Sequence, residues 1–586
     1  MVFKLKISNT MVNTMTIVFS LFVFLTSQIA QAKIHRQTFT VLMNSDKKVM
    51  LSTKRYEYMK SIYADKVNNV HPTLMLKAHR GDKLIVNVIN NANYNMTLHW
   101  MGTCHSPWSV YCLSQARLIL SFSQTSPRHS SHFRYILTQE IKILILLEFM
   151  IVKHFVMQMI GEWWKKKTIM DIAGNANKTG GEPAISDAYT INGQPGYLYP
   201  CSKPGKSSKF NTCSMKVVRH RRYLLRIINA VMDEELFFAI ANHTLTVVAK
   251  DGLYLKHFNT SYLMITPGQS MDVLLHANQR SGRYFMAARA YSSAFGAGFD
   301  KTTTTAILKY KGHSVTDELN RKTPVLVLPY LPPYNHTEAT TRFTNQFRSY
   351  RTRTSNRPVN VPVKIDTRLL YASVNLMNCS DDKPCNGPFG KRFSSSVNNV
   401  SFVNPTVDIL RAYYRRIGGV FQADFPRKPP TEFNYTGENL PFPTRFGTKV
   451  VVLDFNSSVE LVLQATNVLA SDNHPIHLHG YSFFVVGSGF GNFDRRKDPL
   501  KYNLVDPPEE TTVGVPSNGW TAVRFVANNP GQCILIHFHF STLHVKKTRF
   551  WAKVLHMTHI LFNAFMYLLF AFHAFKILSN LEFIKK

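Results

Sequence analysis

The chain has 586 residues, 45% of them hydrophobic, and a net charge of +34 from 69 Lys+Arg against 35 Asp+Glu. That length excludes a single core and predicts about two to four domains. The charge predicts attraction to polyanions such as an acidic polysaccharide or acidic lipid; no nucleic-acid-binding motif accompanies it, so nucleic acid is not expected as a partner.

The first segment, 1–32, reads as a signal peptide. Lys4 and Lys6 precede an apolar run from Ile17 to Leu25, and Ala30-Gln31-Ala32 offers a cleavage site. Sequons at Asn95, Asn177, Asn242, Asn259, Asn335, Asn378, Asn399, Asn434 and Asn456 agree with secretion and glycosylation. In an oxidising compartment the seven cysteines leave at least one unpaired within the chain. Cys379 and Cys385, with five residues between them, suit a local disulfide; Cys201 and Cys213 pair with each other or reach another domain.

Strands are predicted from Gln37 to Leu42 and Lys83 to Asn90, the latter after the turn Arg80-Gly81-Asp82. A second unit starts near Ile191 and continues through Tyr223–Asn229 and His243–Gly252. A third runs through Val459–Leu463 and His474–Gly487. In each, a strand ending near Asn is followed by an apolar strand ending at Gly, the pattern of a tandem β-sandwich array. The expected divisions are domain 1 at 33–165, with 101–160 atypical, domain 2 at 166–325, a linker at 326–400, domain 3 at 401–555 and a hydrophobic tail at 556–586. The tail associates with a membrane only if its best window, Ile560 to Phe575, inserts. Residues 101–160 and the tail also read as the product of a shifted frame or retained intron, because both break the strand-turn punctuation around them.

Chemistry concentrates in His474-Pro475-Ile476-His477-Leu478-His479-Gly480. Neutral imidazole suits copper, zinc and iron. On a strand, His477 and His479 share a face. A second alternating pair, His537-Phe538-His539, follows the turn at Pro530-Gly531, with His544 beyond it; His99 stands before Trp100-Met101-Gly102. Two pairs late in the chain and one early histidine suggest a metal cluster shared between the first and third domains.

At these residues the sequence resembles the multicopper oxidases. His474–Gly480 is similar to their HPxHLHG motif, and His99–Gly102 to HWHG with Met101 in place of the second histidine. Gly487–Asp494, Tyr502–Pro508, Thr512–Pro516, Ser186–Gly196 and Ser396–Phe402 narrow the resemblance to plant laccases. It implies an all-β chain of three tandem cupredoxin-like (plastocyanin-like) Greek-key β-sandwich domains, the first disrupted here. It implies a secreted protein of the cell wall or apoplast, oxidising phenols and lignin precursors by one electron and reducing O2 to water with four copper ions.

By resemblance, His474 matches a type 1 copper ligand, His99 and His477 type 2 ligands, and His479, His537 and His539 type 3 ligands. His544 sits one residue past the second type 1 histidine. Met101 replaces a type 3 histidine. Phe538 replaces the type 1 cysteine, and Gly531–His537 is one residue longer than the family pattern. No His-x-His lies between Met101 and Gly161, where the family's second motif belongs; His105, His129, His132 and His154 are wrongly spaced. A chain lacking that thiolate and several histidines is expected to lack a full copper complement and normal turnover. The alternative reading is a non-catalytic secreted cupredoxin array, or the product of a defective reading frame.

Overall fold

The computed structural model describes most of residues 185–528, and outside that stretch chiefly the backbone of strands within 34–163 and 531–555. The leader, Cys201, the Cys379/Cys385 pair and the tail beyond 555 lie outside the described residues. Among the described residues, no helix is long and apolar enough to cross a membrane.

The chain is built of strands with few helices, as expected. Near the N-terminus, Val49–Ser52, Ile34–Met43, Lys83–Asn90 and Arg117–Phe122 form one four-stranded sheet in that order. The middle unit packs a six-stranded sheet, centred on Ser270–His276 and Arg222–Asn229, against a five-stranded sheet centred on Arg283–Tyr291. Alternation drives this packing. Leu245–Lys250 buries Leu245, Val247 and Ala249 while the residues between them lie nearer the surface. Glu235–Ile240 is buried along its whole length and brings Phe237 and Phe238 into the core.

Residues 154–163, expected to fall within domain 1, form a strand, His154–Trp163, that pairs in parallel with Arg222–Asn229 and antiparallel with Ala188–Ile191. The middle unit therefore begins upstream of 166. Its apolar run is long enough to fill a ladder position that the six-stranded sheet would otherwise leave as an edge.

The third unit has an eight-stranded and a five-stranded sheet. Thr367–Met377 lies within the expected linker, yet it pairs in parallel with Ser458–Gln464 at the centre of the larger sheet. Val359 and Val361 pack with Val462, Val486 and Trp520. The same segment's helix, Thr337–Thr344, buries Ala339 and Phe343 against the middle unit. Residues 328–350 and 359–377 are thus structural; the Pro, Asn, Thr and Arg content of this region hid short apolar stretches that two cores absorb.

A charged ladder crosses the larger sheet. Glu460 is fully buried, with Arg368 Nε 2.5 Å from Oε1 and Arg524 Nη2 2.6 Å from Oε2. The three residues stand opposite one another on adjacent strands. Their pairing offsets a burial cost that a lone carboxylate could not bear. On the same sheet, Gly489 lets Trp520 lie close, since a Cβ there would meet the indole at 2.9 Å.

Cys213, whose pairing the sequence left open, is a free thiol. Burial pushes its pKa up, and the amide of Asn192, 3.5 Å from the sulfur, offsets part of that effect.

Candidate functional site

The smaller sheet of the third unit positions the opening motif. Its strand His474–Leu478 lies between Thr512–Val515 and Gly531–His537 and pairs antiparallel with both. The expected strand from His474 to Gly487 is two strands, the second being Phe483–Phe490 in the other sheet. Val, Ile and Thr neighbours favour this pleated setting. His474 and His477 are 4% and 6% exposed.

His477 stands opposite Thr512, and its Nδ1 is 2.9 Å from Thr512 Oγ1. Thr512 is itself held from the middle unit. The Gln269 side-chain amide donates to its carbonyl at 2.6 Å. Asp251 Oδ2 accepts from the Thr512 N–H at 3.3 Å, and from the Thr511 N–H and hydroxyl at 3.4 and 3.2 Å. Asp251 Oδ1 accepts from the Ser270 N–H at 2.9 Å. Local sequence puts this carboxylate there. Asp251-Gly252, with φ of 49° and 79°, is the two-residue turn joining Leu245–Lys250 to Leu253–Thr260. Next to it, Lys250 Nζ lies 2.9 Å from Glu510 Oε2.

A second seam runs beside His474. Asn473 donates from Nδ2 to Glu235 Oε2 at 2.6 Å, and Thr266 donates to Glu235 Oε1 at 2.7 Å. Asp472 accepts from the Ser293 N–H and hydroxyl at 3.0 and 2.7 Å. Burial pushes the Glu235 carboxyl above its ordinary range; Thr266 and Asn473 offset part of that rise.

The other histidines are placed less completely. His99 ends the strand Met96–His99, opposite Val110. Position 537 ends its strand opposite Ile476, while Ile536 stands opposite His477. Because side-chain period in a sheet is two, position 537 is in phase with His474 and out of phase with His477. Met101, His479, Phe538, His539 and His544 lie outside the described residues. Among the described residues, no three His, Cys, Asp or Glu side chains gather into a metal-ligating group.

Buried imidazoles, one with Nδ1 against an oriented hydroxyl, match the donors that copper uses. His477 therefore fits an imidazole ligand to copper. A thiolate centre does not fit: position 538 is phenylalanine, and Cys533 stands in another register, opposite Ala552.

Thr512 figured in the sequence only within a family-like stretch, and Asp251, Gln269, Lys250 and Glu510 were not singled out. Asp-Gly is a short-range hairpin signal that marks this turn, where a strand ending at Gly252 had been expected. Its contact with Thr512, 261 positions away, has no such signal.

Three family models described as multicopper oxidase match residues 53–114, 154–313 and 424–549. The chain is 66% identical to Laccase-14 of Arabidopsis thaliana over 562 residues, covering 92% of this chain and 94% of that protein. It is 41% identical to Laccase-3 of Arabidopsis thaliana, covering 81% and 86%. Among solved structures, the laccase of Botrytis aclada matches with a TM-score of 0.60 at 19% identity, covering 89% of this chain and 87% of that one. Fet3p, a multicopper oxidase that functions in iron import, matches with a TM-score of 0.59 at 15% identity, covering 89% and 90%. At such identities the structural likeness speaks for the fold alone.

Proposed function

This chain belongs to the multicopper oxidase family, on its laccase branch, and from that premise we propose that it is a secreted, copper-binding protein of the cell wall whose substrates are small phenols and O2. When bound, copper supplies one-electron steps, so that four phenols each lose an electron and a proton while one O2 becomes two waters. The observation that carries the reading is His477, a buried imidazole held against Thr512 in a strand that also brings in His474.

The residues have separable tasks. His477 offers an imidazole with little freedom to rotate. Asn473 and Asp472 tie the approach to His474 to the middle unit through Glu235 and Ser293. These contacts hold the approach to the strand against the middle unit. The net charge of +34 supports retention on acidic wall polysaccharide.

Phe538 limits the chemistry. It cannot ligate copper, so this chain would bind copper through imidazoles without a thiolate centre, and its phenol turnover would be far below that of an intact family member. The same residue favours a second reading, a non-catalytic cupredoxin array that binds wall polymer. Copper loading, metal analysis after dialysis, and oxygen uptake with a simple phenol separate them. Retained copper with slow, copper-dependent oxygen uptake supports the first reading; no uptake leaves the second. A thiolate-to-copper absorption band would overturn the account of Phe538.

A further inference from the structure

Thr512 lies on the edge strand of its sheet, and side chains of the middle unit complete its backbone pairing. Its N–H meets Asp251 Oδ2, its C=O meets the Gln269 amide, and its hydroxyl meets His477 Nδ1, all with Thr512 0% exposed. Two of these three holds come from the middle unit and one from the histidine's own sheet. An imidazole can ligate copper through Nε2 only if that nitrogen carries the lone pair, which requires the proton on Nδ1. A hydroxyl oxygen fixed at Nδ1 selects that tautomer when it accepts.

We propose that Asp251 and Gln269 are positioning residues acting through Thr512: they hold its hydroxyl where it accepts from His477 Nδ1–H, so the middle unit sets the tautomer and ring angle of a copper-ligating histidine in the third. The ligand role of His477 rests on the functional reading above; the tautomer does not. The device makes correct docking of the two units a condition for a correctly presented Nε2. Asp251 suits the task because a carboxylate can accept from Ser270, Thr511 and Thr512 together, whereas an amide would turn a donor toward one of them.

The test uses the full copper-free chain labelled with 15N-histidine, with His477 assigned by its loss in His477→Asn. At a pH where imidazole is neutral, the His477 signals should report Nδ1–H. Thr512→Val should abolish that preference and Thr512→Ser should retain it. Asp251→Asn and Gln269→Ala should shift it partway. Lys256→Ala removes a contact between the same two units, Lys256 Nζ to Asp506 Oδ2 at 2.6 Å, but none to Thr512, and should leave the signals unchanged. In parallel, copper titration should show Thr512→Val weakening binding by about 10–100-fold. An Nε2–H tautomer in the parent chain, or signals indifferent to Thr512→Val, overturns the proposal. The expected tautomers without any copper binding would uphold the brace and overturn the copper reading instead.

Discussion

Lys250 and Glu510 meet across the junction of the middle and third units, Nζ to Oε2 at 2.9 Å, with their side chains 7% and 2% exposed. Lys250 also lies over the Phe347 ring, 4.5 Å from its centroid, so one ammonium ties the third unit to both the middle unit and its helical extension. Burial pushes the Glu510 carboxyl above its ordinary 4.5, and Lys250 offsets part of that rise.

Removing one partner strands the other. Lys250→Met should destabilise the chain by about 3–5 kcal/mol at neutral pH, because it leaves a buried carboxylate without its cation. The folded pKa of Glu510 is raised, so its contribution is fully present below 4.5 and is lost as pH rises through the folded value. Without Lys250 that value climbs further. The deficit should therefore shrink as the solution is acidified towards and below 4.5. Thermal unfolding of both proteins across that range checks it; a deficit independent of pH would refute the assignment.

His243 has the opposite sign. Its Nδ1 lies 2.6 Å from the Ala241 carbonyl and its Nε2 2.8 Å from the Tyr310 hydroxyl. Burial lowers its pKa from 6.5, and the Ala241 carbonyl offsets part of that. A depressed histidine contributes stability that is present above 6.5 and lost as pH falls through the folded value. The His243 share of stability should thus fall as pH drops below 6.5, so the difference between the parent chain and His243→Gln should narrow on acidification from neutral pH. Denaturant unfolding at a series of pH values reads both.

Gly514 sits where the two units nearly touch. A Cβ there would meet Glu235 Oε1 at 2.5 Å and Thr266 Oγ1 at 3.1 Å. Gly514→Ala should push this seam apart and cost about 1–3 kcal/mol. Faster proteolysis between the units and a lower melting temperature are expected, whereas an unchanged melting temperature would argue against the close approach.

Restoring the thiol alone should not restore the centre. In Phe538→Cys the register still sets position 537 opposite Ile476. The expected result on copper loading is no intense thiolate-to-copper band. Deleting one residue between Gly531 and Ile536 and one between His539 and His544, together with Phe538→Cys, should move the strand back into phase, bring His544 to the family spacing and make the band appear. Absorbance spectra of the two variants decide it; a band in Phe538→Cys alone would show that register is not limiting.

Lineage, the strand-rich class and the ligand candidates were legible in the amino-acid order, because each rests on short-range signals. Alternation marks strands, turn residues mark their ends, and His474–Gly480 is continuous in the chain. The amino-acid order also exposed the two losses that matter most, Met101 and Phe538, since a missing donor needs no geometry to be noticed. Tertiary structure alone decided which residues support the histidines. Asp251 and Thr512 belong to different units, and a hydrogen bond between such distant positions has no period or spacing by which a sequence can announce it. It also decided that His154–Trp163 and Thr367–Met377 belong to the middle and third units. Each of these strands is paired on both sides, so its backbone hydrogen bonds bind it to a sheet across a boundary that composition had drawn elsewhere.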